Sequence, residues 1–276
     1  MTLQQQLDGA AADAWRQLID DPETALLAFD FDGTLSPITE DPAAAYAPPE
    51  VAAVLARLGP RVGQLAVVTG RPVQAVRRLG GFEGVDGLSN LVVLGQYGYE
   101  RWDAATGRVV VPPPPEAIQH IRAELPAVLS EQGWADAHVE EKGRALGVHL
   151  RRLPDPDAAF RALLGPLTAL AERHGLTVEP GKHVIEIRDD GMNKGIALFN
   201  LVAEVSARTV LFAGDDLGDM PAFDMVAAMR QDGVAGLTIC SQSGERTELA
   251  DHTDLSVCGP AGVVELLSRL ADELAV

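Results

Sequence analysis

The sequence predicts an α/β protein in which a doubly wound parallel sheet is interrupted by a smaller α+β insert. Three observations carry this expectation. Short apolar runs alternate with amphipathic helical stretches over residues 26–94 and again after Lys194. Such alternation builds a parallel sheet with helices on both faces. The runs end on turn-forming or acidic residues, at Asp30, Thr69-Gly70, Gly95 and Gly214-Asp215. Pro112 to Pro115 then break the pattern, and paired strands with helices follow until about residue 187.

Taken in order, Leu26 to Phe29 reads as a buried strand that stops at Asp30. Pro49 to Leu58 places Val51, Val54, Leu55 and Leu58 at helical spacing. Leu65 to Val68 is a second strand, and Pro72 suits the first turn of the helix after it, because its fixed φ is already helical. Leu91 to Leu94 is a third strand. In the insert, Glu116 to Gln132 reads as a helix with a kink expected at Pro126. His138 to Lys142 and Ala145 to Arg151 flank a turn at Gly143. Ala158 to His174 is a helix with Phe160, Leu163, Leu164, Leu167 and Leu170 on one side. Leu176 to Val178 and His183 to Ile187 read as two strands separated by Pro180-Gly181. A helix from Lys194, a strand over Thr209 to Ala213, another helix, a strand over Gly236 to Ile239 and a helix over Pro260 to Leu274 complete the chain. The expected division is a Rossmann-like core of residues 1–109 and 188–276 and an insert of residues 110–187.

Composition excludes several classes of function. The 276 residues suffice for a large core, since a chain near 300 residues buries about 75% of its unfolded surface. Apolar residues make up 47% and charged residues 22%, which rules out wholesale disorder. With 22 Lys and Arg against 40 Asp and Glu, the formal charge is −18. Nucleic acid and an anionic membrane both require a basic face, so neither is expected as a partner. A small phosphorylated ligand is compatible, provided positive charge is supplied locally. Cys240 and Cys258 form no disulfide framework or zinc motif, and reduced thiols are expected. The N-terminus lacks a basic residue before its apolar ones, so no secretory signal is expected. No apolar stretch approaches the ~18 residues of a membrane span. A soluble cytoplasmic protein follows as the expectation, with a monomer favoured and its oligomeric state not fixed by the sequence.

The residues that carry chemistry lie at the strand ends. Asp30-Phe31-Asp32-Gly33-Thr34 follows the first strand directly, where ligands gather in open α/β sheets. Two carboxylates one residue apart can serve one centre, and Gly33 allows a tight bend against a ligand. The plain alternative is an Asx turn. Gly214-Asp215-Asp216-Leu217-Gly218-Asp219 is a second acidic cluster after a strand. Crowding it against Asp30 and Asp32 is costly, because a unit-charge pair at ~4 Å is worth about 4 kcal/mol at an effective dielectric near 20. A hard divalent cation resolves that repulsion, and Mg²⁺ suits a few protein oxygens plus phosphate. Capping of a helix by Asp215 or Asp216, with Asp219 in the first turn, is an alternative that can hold at the same time. Thr69-Gly70-Arg71 offers a hydroxyl, backbone N–H groups and a helix start, which attract phosphate. Lys194 opens a helix against its dipole, so a counter-anion is expected there.

The order of these pieces resembles the haloacid dehalogenase superfamily of aspartate-nucleophile phosphatases and phosphotransferases. DxDGT (30–34), TG (69–70), Lys194 and GDDxxD (214–219) are its four motifs in sequence. An insert between the second and third occupies the place of that superfamily's type 2 cap. LAFDFDGTLSPI (27–38), LGQYGYE (94–100), VEEKGRALGVHLR (139–151), GKHVIEIRDDGMNKG (181–195) and GDDLGDMPAF (214–223) are similar to the trehalose-6-phosphate phosphatase family within it. Tyr97 stands where that family usually has His, and Leu-Gly-Asp follows Asp216 where Arg-Thr-Asp is usual.

The resemblance implies Asp30 as nucleophile, Asp32 as general acid and base, and Lys194 and Asp219 as further catalytic residues. It implies Mg²⁺ held by Asp30, Asp32, Asp215 and Asp216, with the carbonyl of Asp32 as that residue's ligand atom. Gly33, Thr34, Thr69, Gly70 and Lys194 would hold the phosphoryl group. Arg71, Glu141, Lys142, His149, Arg151 and Glu186 would bind the rest of the substrate, a sugar phosphate. The activity implied is Mg²⁺-dependent hydrolysis of trehalose 6-phosphate through an aspartyl-phosphate. The competing readings are another sugar-phosphate phosphatase, a phosphosugar mutase, or a phospho-accepting or sugar-binding module without turnover.

Overall fold

The structure is a computed structural model that describes residue 7 and residues 9–39, 41–189, 191–242 and 249–275. The chain divides into two compact units, one of Met1–Val111 with Met192–Val276 and one of Pro112–Gly191.

The first unit is built on a sheet of eight strands. They are β1 (Ala25–Phe29), β2 (Gln64–Val68), β3 (Leu91–Gly95), β4 (Glu100–Asp103), β5 (Val109–Val110), β10 (Thr209–Gly214), β11 (Ala235–Ser241) and β12 (Leu255–Val257), in the order β12-β11-β10-β1-β2-β3-β4-β5. Its helices are α1 (Gly9–Asp20), α2 (Pro49–Leu58), α3 (Val73–Gly80), α6 (Lys194–Val205), α7 (Met220–Gln231) and α8 (Gly259–Glu273). Alternation along β1 feeds two cores. Leu27 and Phe29 join residues of α1, α2, α3 and α8. Leu26 and Ala28 join residues of α6 and α7. The sheet is therefore covered on both faces, as the sequence predicts, and β1 lies in it between β10 and β2 with parallel pairing to both. This is where the winding reverses, so a crevice opens beyond the carboxyl ends of β1 and β10.

Three features depart from the sequence reading. Residues 9–20 form α1, which buries Ala11, Ala14, Trp15 and Leu18 against the sheet. The first two of these inward positions are alanine, too weakly apolar to stand out as a stripe. The sheet is not wholly parallel, because β4 and β5 extend its edge in antiparallel pairing. The three-residue β12 was also too short to be read.

The second unit contains α4 (Glu116–Glu131), β6 (His138–Glu141), β7 (Ala145–His149), α5 (Pro156–Arg173), β8 (Thr177–Gly181) and β9 (Val184–Arg188). Its strands form an antiparallel sheet in the order β6-β7-β9-β8. Leu146, Val148, Ile185 and Ile187 pack with Ile118, Leu125, Leu163 and Leu167 of the two helices. Asp155 caps α5 by accepting from the Ala158 amide at 2.9 Å. The hairpin turn falls at Lys182-His183 and not at Pro180-Gly181, since Gly181 already pairs with Val184. Pro180 is accommodated within β8 because β8 is an edge strand and loses no ladder bond on its open side. Lys142 lies just past β6, and Arg151 lies in the exposed turn after β7.

Among the described residues, no helix is long and apolar enough to cross a membrane.

Candidate active site

Backbone pairing sets the first carboxylates. The Asp30 amide donates to Ala213 O at 2.8 Å, which continues the β1–β10 ladder one residue past its end and delivers Asp30 and Asp215 to the same crevice. Asp30, Asp215 and Asp219 each present a carboxylate oxygen, all within 4.8 Å of one another, and all three residues are buried. Lys194, the first residue of α6, places Nζ 2.8 Å from Asp30 Oδ1 and 2.7 Å from Asp219 Oδ1. Asn193 caps that helix by accepting from the Ile196 amide at 2.9 Å, which fixes where Lys194 begins.

Each acid has a distinct set of partners. Asp219 spends one oxygen on Lys194, and its Oδ2 accepts from the amides of Asp215 and Asp216 at 2.9 and 3.1 Å. It is an anchor that holds Lys194 and the 215–216 backbone together. Asp216 accepts from the Gly218 amide at 2.8 Å and forms a reciprocal capping box with Asp219. Its carboxylate is outside the three-acid cluster, so the capping alternative describes Asp216 and the cluster takes Asp219 in its place. Asp32 directs its carboxylate to Arg71, which grips it with two bonds of 2.5 and 2.7 Å while donating a third to Pro42 O. Arg71, expected on substrate, is thus engaged with Asp32.

Burial dominates the electrostatics. It pushes Asp215 up to about 7, with the charges of Asp216 and Asp219 adding to the effect. Burial likewise raises Asp30 well above the usual carboxylate range against the pull of Lys194, and raises Asp219. For Lys194 burial opposes the charge, but the carboxylates of Asp30 and Asp219 outweigh it and keep the ammonium firmly protonated. Three buried acids against one lysine leave an excess of two negative charges when all are ionised. A hard divalent cation fits this oxygen-only donor set. Since Asp219 is committed to Lys194 and two amides, Asp30 and Asp215 are the members of the cluster that would hold such a cation. Gly33, at φ +74°, leaves room for Asp215, because a Cβ there would fall 2.0 Å from Asp215 Oδ2.

Thr69 follows β2, and its hydroxyl accepts from the Arg71 amide at 3.1 Å. Thr34 is fully buried, and among the described residues its Oγ1 and the Oγ of Ser36 have no hydrogen-bond partner. The hydroxyl of Thr34 is thus closed off from solvent, where contact with phosphate was expected.

The expected sugar-binding residues lie in the second unit. Its sheet pairs Glu140 with Gly147 and Gly147 with Glu186, so the two acids share the face away from the helices. His149 Nε2 lies 2.7 Å from Glu140, and Lys142 pairs with Glu186. Arg151 is exposed nearby in sequence. Glu141 is opposite Leu146 and pairs with Arg122 of α4 at 2.8 Å, so it leaves the group expected for it. Glu140 takes its place. Strand alternation counted back from Lys142 was the signal that could have found it.

Comparison with known proteins gives these residues a family context. A family model described as trehalose-phosphatase matches residues 28–257. A probable trehalose-phosphate phosphatase of Sinorhizobium fredii is 32% identical over 222 residues, covering 76% of each chain. The trehalose-phosphate phosphatase of Mycobacterium tuberculosis is 31% identical over 265 residues, covering 89% of this chain. The chain spans 61% of the length of that mycobacterial relative. The C-terminal domain of Candida albicans trehalose-6-phosphate phosphatase has the same fold, with a TM-score of 0.72 at 22% identity and coverage of 94% and 95% of the two chains. A haloacid dehalogenase-like hydrolase from Bacteroides thetaiotaomicron matches at a TM-score of 0.59 and 15% identity, over 89% of this chain and 99% of its own.

Proposed function

Because the chain belongs to the trehalose-phosphatase family, we propose that it hydrolyses trehalose 6-phosphate to trehalose and inorganic phosphate, with Asp30 as the nucleophile and Mg²⁺ as the cofactor. The observation that carries this reading is the buried meeting of Asp30, Asp215 and Lys194 at the switch point of the sheet.

An oxygen of Asp30 attacks phosphorus and the bond from phosphorus to the sugar oxygen breaks, leaving an aspartyl-phosphate. Asp32 turns out of the Arg71 fork, takes up a proton from solvent there, and gives that proton to the departing sugar oxygen. It then takes a proton from the water that attacks the same phosphorus, which frees phosphate and restores Asp30. Lys194, held between Asp30 and Asp219, keeps positive charge beside the reacting group, and the Thr69 hydroxyl, itself held by the Arg71 amide, orients the phosphoryl oxygens together with the Gly70 amide. Mg²⁺ held by Asp30 and Asp215, with the Asp32 carbonyl completing the protein ligands, would neutralise the phosphoryl oxygens when bound. We take Pro112–Gly191 as the cap, with Glu140, Lys142, His149 and Glu186 binding sugar hydroxyls.

Phosphate release from trehalose 6-phosphate, glucose 6-phosphate and sucrose 6-phosphate, with and without Mg²⁺, tests the reading. Turnover preferring trehalose 6-phosphate and requiring the cation is expected. Preference for another sugar phosphate would reassign the substrate, and phosphoryl return to sugar would indicate a mutase. Asp30→Asn is expected to lose turnover by at least about a thousandfold, and near-wild-type activity in that variant would refute the nucleophile assignment.

A further inference from the structure

The turn after β3 has an unusual backbone. Gln96 and Tyr97 are consecutive non-glycine residues in the left-handed region, at φ 49° and 59°. Such conformations persist only where the surroundings impose them. Here the surroundings are the Thr69–Arg71 segment. The Gln96 amide donates to Arg71 O at 3.0 Å, and the Tyr97 amide to Thr69 O at 2.9 Å. The buried Gln96 side chain adds a bond from Nε2 to Gly70 O at 2.8 Å. Three hydrogen bonds therefore fasten the turn to three consecutive residues of the segment that carries Thr69. The same turn packs against α6, whose first residue is Lys194.

The side chain of Tyr97 completes the contact. A Cβ built on Gly70 would lie 2.9 Å from both Cζ and Oη of Tyr97 and 3.3 Å from its Cε1, and these are the three nearest atoms. Gly70 does not have a positive φ, so its backbone would accept alanine. The tyrosine ring occupies the space that an alanine side chain would need.

We propose that Tyr97 is a positioning residue for the phosphoryl-binding segment Thr69–Arg71. Its ring rests on Gly70 and fixes the amides and hydroxyl of that segment relative to Lys194. The inference rests on the proposed role of Thr69 and Gly70 in holding the phosphoryl group. It assigns the function to the tyrosine side chain, whose Cζ, Oη and Cε1 are the atoms set against Gly70.

A double-mutant cycle tests it, using Gly70→Ala, Tyr97→Ala, the pair and Tyr97→Phe. The readouts are calorimetric binding of inorganic phosphate in Mg²⁺ buffer, kcat/KM on trehalose 6-phosphate and the melting temperature. Phosphate binding needs no sugar, so failure of the substrate assignment leaves this test intact. Gly70→Ala is expected to weaken phosphate binding and kcat/KM by about tenfold when Tyr97 is present and by less than about threefold in the Tyr97→Ala background. Tyr97→Phe is expected to retain both within about threefold, with melting temperatures close to wild type. Equal penalties for Gly70→Ala in the two backgrounds would overturn the proposal. So would a Tyr97→Ala protein that melts lower yet binds phosphate and turns over as wild type does. If Tyr97→Ala fails to fold, Tyr97→Leu carries the same cycle.

Discussion

Asp215 shows how burial becomes a functional constraint at a single residue. Its folded-state value of about 7 is above the ordinary 3.8, so between those limits the folded cation-free protein binds more protons than the unfolded chain. The sign follows directly: this group favours folding most at low pH, and its contribution is lost as pH rises through about 7. A cation must compete with that proton. Mg²⁺ affinity, read from calorimetric titrations, is therefore expected to be about tenfold weaker at pH 6 than at pH 8. Affinity independent of pH, or strengthened by acid, would contradict this origin of the shift. Asp30, Asp215 and Lys194 were legible in the sequence because each follows a strand or opens a helix. The grip of Arg71 on Asp32 was not, since it joins residues whose proximity depends on the parallel pairing of β1 with β2.

At the scale of elements, alternation assigns residues that spelling alone misplaces. Glu140 and Glu141 are adjacent acids, but β6 sends one to the open face and the other toward Arg122. Glu140→Gln is expected to raise KM for trehalose 6-phosphate by about tenfold, whereas Glu141→Gln changes it by less than about twofold. Neither should alter kcat much, and steady-state kinetics on both variants check the split. A larger effect from Glu141 would mean that the open face of β6, β7 and β9 is not the sugar-binding surface. Element types were readable wherever apolar periodicity was strong, as in α5 and β1. The misses have local causes. The small residues of α1 hide its stripe, β4, β5 and β12 are too short to show a period, and Pro180 looked like a turn because its edge position was not visible in sequence.

At the scale of the whole molecule, two separate sets of cores sustain the two units. Leu163 is fully buried among Leu146, Ile185 and their neighbours in the second unit. Leu163→Ala is expected to cost about 2–5 kcal/mol there. Hydrogen exchange should quicken at β7 and β9 amides while those of β1 and β10 keep their protection. Uniform loss of protection throughout the chain would show that the units do not unfold separately. The doubly wound sheet was predictable at this scale because strand–helix alternation dictates it, and covered relatives of 22% identity share it. The net charge of −18 makes the buried cation Lys194 more telling, since the anionic substrate proposed above would have to be met by local positive charge and not by the general field of the protein.

The most direct test is to find where the phosphoryl group goes. Protein mixed with trehalose 6-phosphate and Mg²⁺ is quenched in acid within one turnover, reduced with borohydride and digested for peptide mass mapping. The account predicts conversion of Asp30 to homoserine, the product of a reduced aspartyl-phosphate, and no conversion in Asp30→Asn. Rapid release of phosphate with Asp30 unmodified, or modification at another carboxylate, would contradict it.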